Sequence, residues 1–192
     1  MATTRIISMH VNQGKTIADC LTDRIDYSKN PDKTQGGELI SAYECDPKTA
    51  DAEFLLAKAK YKAVTGREQK RDADVLCYQI RQSFRPGEIT PEEANRVGYE
   101  TAMRWTKGKH AFFVATHTDR QHIHNHIYYN STTLDYTGKF RDFFRSAAAL
   151  RRYRRQSAQG SGIKAFASSA EVWIALCCLR RRRLIITLVC PI

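Results

Sequence analysis

The stretch HAFFVATHTDRQHIHNHIYYN, His110–Asn130, decides how this chain folds. Its apolar residues alternate or run together in two short blocks around a polar centre. That pattern predicts two strands, His110–Thr118 and His122–Asn130, joined by a tight polar turn. Four of the chain's six histidines fall within the ten positions 117–126. A single histidine is usually a core or surface residue, but four at this density point to chelation.

Strand geometry narrows the ligand set. Alternate side chains share a face and repeat every ~6.7 Å. His122, His124 and His126 would then point the same way, with His122 and His126 roughly 13 Å apart. Ligand nitrogens sit about 2.1 Å from an ion, so those two cannot both hold it. One i,i+2 pair supplies two ligands, and a hairpin brings His117 beside the pair as the third. His117 with His124 and His126, or His117 with His122 and His124, both satisfy the spacing. Imidazole-only ligation suits zinc by softness. A phosphate-bridging role suits Mg or Mn instead. Asp119, two residues past His117, is placed to orient a ligand imidazole.

Outward from the hairpin, Thr4–His10 reads as a strand and Lys15 to about Tyr27 as a helix stopped by Asn30-Pro31. A Gly36-Gly37 turn leads into a strand at Glu38–Tyr43. A second helix, Thr49–Val64, closes at Gly66. Asp74–Phe84 reads as a strand in which Val75, Cys77 and, more weakly, Gln79 alternate with Leu76, Tyr78 and Ile80. Thr90-Pro91-Glu92-Glu93 is a helix start, with Thr as cap and Pro in the first position, and the helix runs to about Trp105. A basic helix at about Arg145–Gln156 comes last. The order predicts an α/β sandwich: a mostly antiparallel central sheet with flanking helices.

The chain has 192 residues and a formal net charge of +11, which fits one domain with a small appendage and favours a polyanionic partner. Its six cysteines form no C-x-x-C pair, which argues against a zinc ribbon and a disulfide framework. Neither a signal peptide nor a membrane-length apolar run is expected, so the expected setting is the reducing cytoplasm. The texture changes from about Ser157. Gln159-Gly160-Ser161-Gly162 resembles a linker, and VWIALCCLRRRRLIITLVCPI fits no amphipathic period. That tail reads either as a small terminal helix and strand or as a segment translated out of frame. The expected division is one domain over 1–156, which the out-of-frame reading would leave truncated at its C-terminus, and an atypical basic and apolar tail over 157–192.

The sequence contains no G-x-S-x-G, P-loop or H-E-x-x-H pattern. A metal-bound water or a side-chain hydroxyl is left as the nucleophile. Tyr27 stands out among nine tyrosines, at a helix end in RIDYSKNPDKT beside Arg24, Lys29 and Lys33. A phenol needs nearby positive charge or a metal to act as a nucleophile.

HTDRQHIHNHIYYN resembles the third motif of relaxases from conjugative and mobilisable elements, members of the HUH endonuclease group. RIDYSKNPDKT resembles their first motif, and QSFRPGEITPEEANRVGYE the stretch between, so the resemblance covers roughly residues 4–156. It implies an HUH-like sandwich and a DNA strand transferase. Tyr27 would attack a phosphodiester at an origin of transfer, forming a 5′-phosphotyrosine link and leaving a 3′ hydroxyl. A divalent ion would polarise the scissile phosphate. The resemblance favours His117, His124 and His126 as its ligands. His122 is kept as a reserve ligand or proton donor, and Asn130 matches an asparagine that often ends the motif. Accessory relaxosome proteins are implied partners. Relatives are usually longer, with a further helical region, and the residues after about Tyr153 depart from the family.

Arg145, Arg151, Arg152 and Arg155 on the last helix are expected DNA contacts, with Arg154 and Tyr153 among them. Rival readings are a rolling-circle replication initiator or water-using metal nuclease, and an inactive DNA-binding remnant.

Overall fold

The hairpin at the centre of the sequence is also the centre of the sheet. β4 (Phe112–His117) and β5 (His124–Asn130) pair antiparallel, with His117 opposite His124 and Phe112 opposite Tyr129. Every residue of β4 is buried, and all of β5 except His124. Burial on both faces explains why these strands carry so few exposed polar positions. The computed structural model describes residues 3–68 and 74–150.

β1 (Thr3–His10), β2 (Ile40–Tyr43) and β3 (Val75–Ser83) complete a five-stranded sheet in the order β1-β3-β5-β4-β2, antiparallel throughout. Helices α1 (Ile17–Lys29) and α2 (Ala50–Thr65) cover one face. There Cys20, Leu21, Ile25 and Phe54 pack on Cys77, Phe113, Ala115 and Tyr128. On the other face α3 (Pro91–Thr106) and a helical turn at 146–150 bring Ala102 and Leu150 against Tyr78, Ile80, Val114, Ile127 and Tyr129. The expected α/β sandwich is the observed architecture.

Local chemistry sets the helix starts. Thr90 accepts from the Glu93 amide at 3.3 Å and the Glu93 carboxylate answers the Thr90 amide at 3.4 Å, with Pro91 at the first position. Thr16 and Asp19 make the same reciprocal cap on α1. Aspartate here does what glutamate or glutamine usually does, so α1 starts at Ile17 and runs to Lys29 rather than spanning Lys15 to Tyr27. Tyr27 therefore sits inside the last turn.

The strands of the hairpin are shorter than expected. The Thr118 amide donates to the Lys33 carbonyl at 3.0 Å, and the Phe84 amide donates to the Ile123 carbonyl at 3.0 Å. The chain on both sides of the turn is thus taken by other segments, and 118–123 is a six-residue loop instead of a tight turn. His122 lies in that loop, outside β5, and the expected shared strand face for His122, His124 and His126 holds only for the last two.

Asn125 points to the α3 side between the two β5 histidines. It donates to the Ala94 carbonyl at 2.6 Å and to Gln82 Oε1 at 3.1 Å, and it accepts from Thr116 Oγ1 at 2.8 Å. A Cβ at Gly98 would lie 2.6 Å from its Nδ2 and 2.8 Å from Val114 Cγ1, so only glycine lets α3 approach this closely. At the end of the sheet away from the histidines, Lys58 and Lys139 both pair with the buried carboxylate of Asp74.

No helix among the described residues is long and apolar enough to cross a membrane. Arg151, Arg152 and Arg155, with the boundary at 156/157, lie outside the described residues.

Candidate active site

His117 at the end of β4 and His124 at the start of β5 face each other across the pair, and His126 follows one pleat further on the same face. Their ring centroids are 4.4 Å (His117–His126), 5.1 Å (His117–His124) and 5.1 Å (His124–His126) apart. One nitrogen from each ring can be chosen so that no two are more than 4.8 Å apart. Two nitrogens each about 2.1 Å from an ion are at most ~4.2 Å apart, so the rings draw somewhat closer together to close on one.

The protonation state also fits. Burial lowers the basicity of all three rings, and it drives His126 down to about 3, helped by the charges of His117 and His124. Neutral imidazole is the form that binds a metal. One nitrogen of each ring is held in place. His117 Nε2 lies 2.9 Å from the Ser28 carbonyl, His124 Nδ1 3.3 Å from the His122 carbonyl, and His126 Nδ1 2.6 Å from the Gln79 amide. Such partners fix ring orientation.

The last turn of α1 connects the triad to Tyr27. Ser28 is fully buried and supplies the carbonyl for His117, while its neighbour Tyr27 is 56% exposed. The Tyr27 ring sits 6.1 Å from His117 and 6.4 Å from His126 by centroids. Lys33 Nζ lies over it, 4.0 Å from the ring centre. Asp119 engages Lys33 at 3.7 Å instead of a histidine ring. His122 stands beside the triad with its ring 5.3 Å from His124. Arg145 is exposed at the head of the turn on the α3 side, away from the triad. Asn130 is buried at the far end of β5, where its side chain accepts from the Thr132 amide at 3.0 Å.

None of the described cysteines competes as a nucleophile. Cys20, Cys45 and Cys77 are unpaired, and burial pushes the Cys45 and Cys77 thiols up to about 12.

Gln79 and Ser28 escaped the sequence reading. The Gln79 amide also donates to the Tyr128 hydroxyl at 2.7 Å, and its oxygen accepts from Arg81 Nε at 3.3 Å. The one signal in the sequence was a glutamine following Val75 and Cys77 in the same strand phase; its full burial came from the structure.

The family described as relaxase, MobA/VirD2-like, nuclease domain, matches residues 27–163. This chain belongs to that family. The group II intron-interrupted relaxase LtrB of Lactococcus lactis subsp. cremoris is 37% identical over 139 residues, covering 63% of this chain and 24% of its own. A protein rlx of Staphylococcus aureus is 39% identical over 102 residues, covering 53% of this chain and 29% of its own. Another protein rlx from the same species is 30% identical over 135 residues, or 70% and 39%. The chain thus spans between about a quarter and two fifths of the length of these curated relatives.

Proposed function

We propose that this domain nicks one DNA strand by transesterification, with Tyr27 as nucleophile and His117, His124 and His126 as the ligands of a divalent ion. The observation that carries this is a tyrosine ring within 6.1–6.4 Å of two members of a neutral histidine triad whose nitrogens converge. An ion held there, Mg or Mn for its oxygen affinity or zinc as the softer match to imidazole, would supply Lewis-acid polarisation of the scissile phosphate.

Tyr27 Oη forms a bond to phosphorus and the bond from phosphorus to the 3′ oxygen breaks. The phenolic proton is lost to water, and the departing 3′ oxygen takes up a proton, for which His122 on the adjoining loop is a donor. Lys33 over the ring stabilises negative charge as it develops on the phenol oxygen. Asp119 holds Lys33 there and so acts as a positioning residue. Further proposals are that the strand cut is single-stranded DNA at an origin of transfer, that cleavage serves mobilisation alongside accessory proteins, and that it takes place in the cytoplasm. Arg145, Arg151, Arg152 and Arg155 are proposed backbone contacts.

The deciding experiment incubates the full chain with Mg or Mn and single-stranded DNA spanning candidate nick sites. A covalent protein–DNA adduct that disappears in Tyr27→Phe is the expected result. Cleavage without an adduct would point to a water nucleophile, and an adduct retained in Tyr27→Phe would exclude this tyrosine.

A further inference from the structure

The register of the sheet lines up one row of residues across four strands. Arg5 on β1 is opposite Arg81 on β3, Arg81 is opposite His126 on β5, and His126 is opposite Ala115 on β4. Residues directly opposite in antiparallel strands share a face, so both arginines stand on the face that carries the histidine triad. Both are exposed, while Gln79, one pleat along β3, is fully buried beneath the helices. The helical layer therefore stops short of this row and leaves a basic strip open beside the triad.

Two like charges directly opposite on one face of a strand pair repel. Among the described residues no carboxylate forms an ion pair with either arginine. Arg81 leans toward the site: its Nε donates to Gln79 Oε1 at 3.3 Å, and the Gln79 amide nitrogen lies 2.6 Å from His126 Nδ1. An anion lying between the two guanidinium groups would relieve their repulsion.

We propose that Arg5 and Arg81 bind consecutive backbone phosphates of single-stranded DNA, carrying the strand from the triad across β3 to the β1 edge. This rests on the nicking function proposed above. Neighbouring strands lie about 4.8 Å apart, so the arginine backbones stand roughly 5 and 10 Å from that of His126 along the row. Phosphates flanking one at the triad fall within reach of the side chains. The planar fork of arginine matches phosphate oxygens two at a time, which gives register as well as attraction.

The test is the salt dependence of binding, measured by fluorescence anisotropy on the full chain. The probe is a labelled 20-nucleotide single strand of mixed sequence, in buffer without divalent metal. Each neutralised phosphate of a single strand contributes about 0.7 to the slope of log affinity against log salt. Arg5→Gln/Arg81→Gln is expected to flatten that slope by about 1.4, so that raising salt from 50 to 200 mM weakens binding about sevenfold less than in the parent. Arg5→Lys/Arg81→Lys should keep the parental slope. Lys62→Gln/Arg67→Gln, a charge-matched pair at the opposite end of the sheet, should change it less. An unchanged slope in Arg5→Gln/Arg81→Gln, or an equal loss in the distant pair, overturns the strip. If the slope falls but no Tyr27 adduct forms, the strip stands as a binding site and only the nicking function is lost.

Discussion

His110 and His117 lie at opposite ends of the same strand, and the two ends use a buried imidazole differently. His110, just before β4, presents Nδ1 to the Asn130 carbonyl at 2.9 Å and the Thr132 carbonyl at 3.1 Å. Its ring stands edge-on to Tyr129 and Phe140. His117 gives one nitrogen to the Ser28 carbonyl and shares its other side with two more histidines. Burial lowers the basicity of both rings. A buried histidine with depressed basicity is therefore no mark of a site by itself. Convergence of unprotonated nitrogens is, and His110 has no histidine partner at its end.

The largest effect expected from this contrast is on metal affinity. His126→Ala should weaken Mn binding by more than about 100-fold in isothermal titration, since even partners behind the ligands are worth 10–100-fold. His110→Leu should leave that affinity in place, while costing about 1–3 kcal/mol of stability through two carbonyls that lose their donor. Similar losses of metal binding in both variants would erase the distinction.

Acid should expose the triad next. The folded protein holds His126 at about 3 against an ordinary value near 6.5, with burial the leading cause. Below pH ~6.5 the unfolded chain therefore takes up the proton first, and stability present above that pH is lost as pH falls toward 3. For the metal-free protein, His126 alone contributes a loss of about 2 kcal/mol between pH 6.5 and 5. His110, His117 and His124 act in the same direction. Urea unfolding at pH 7, 6 and 5 measures this, and a flat profile would contradict it.

Gly98→Ala should cost about 1–2 kcal/mol in the same assay. The new methyl meets Asn125 Nδ2 and Val114 Cγ1, and Asn125 is pinned by its hydrogen bonds. Overpacking of 1–3 kcal/mol then outweighs a helix-propensity gain of about 1 kcal/mol. A stabilised variant would mean that α3 can move off the sheet.

The smallest change is the sharpest probe of what separates the two ends. Gln79→Leu removes the partner of His126 Nδ1 without touching a ligand, and should reduce Mn affinity about tenfold. Gln79→Glu places an acceptor where the Gln79 amide nitrogen donates, which favours the Nδ1–H tautomer with Nε2 free, and should bind Mn at least as tightly as the parent. Unchanged affinity in Gln79→Leu would leave the amide a packing role only.

Much of this was legible in order along the chain. The Thr90-Pro91-Glu92-Glu93 start of α3 and the Gly66 stop of α2 depend on contacts a few residues apart and appear where the local patterns put them, while the central hairpin pairs as expected but with shorter strands and a longer loop. His117 with an i,i+2 histidine pair was also readable, since pleat spacing limits which rings can meet. His122 was assigned to the strand because alternation continues through it, and nothing local revealed that Phe84 would claim the Ile123 carbonyl. Gln79 and Ser28 reached the site through register and helix packing, from 47 and 89 residues away along the chain.

By itself the sequence determined the element types, the α/β class, a histidine cluster able to ligate a cation, and a tyrosine in a basic setting. Those follow from side-chain period and residue chemistry, which are properties of short segments. Only the tertiary structure decided that His117, His124 and His126 converge while His122 stays on the loop. It also decided that the last turn of α1 sets Tyr27 and Ser28 against the triad, and that Arg5 and Arg81 share its face. These depend on strand order and register, which are set by burying two apolar faces at once and have no counterpart in any single stretch of residues.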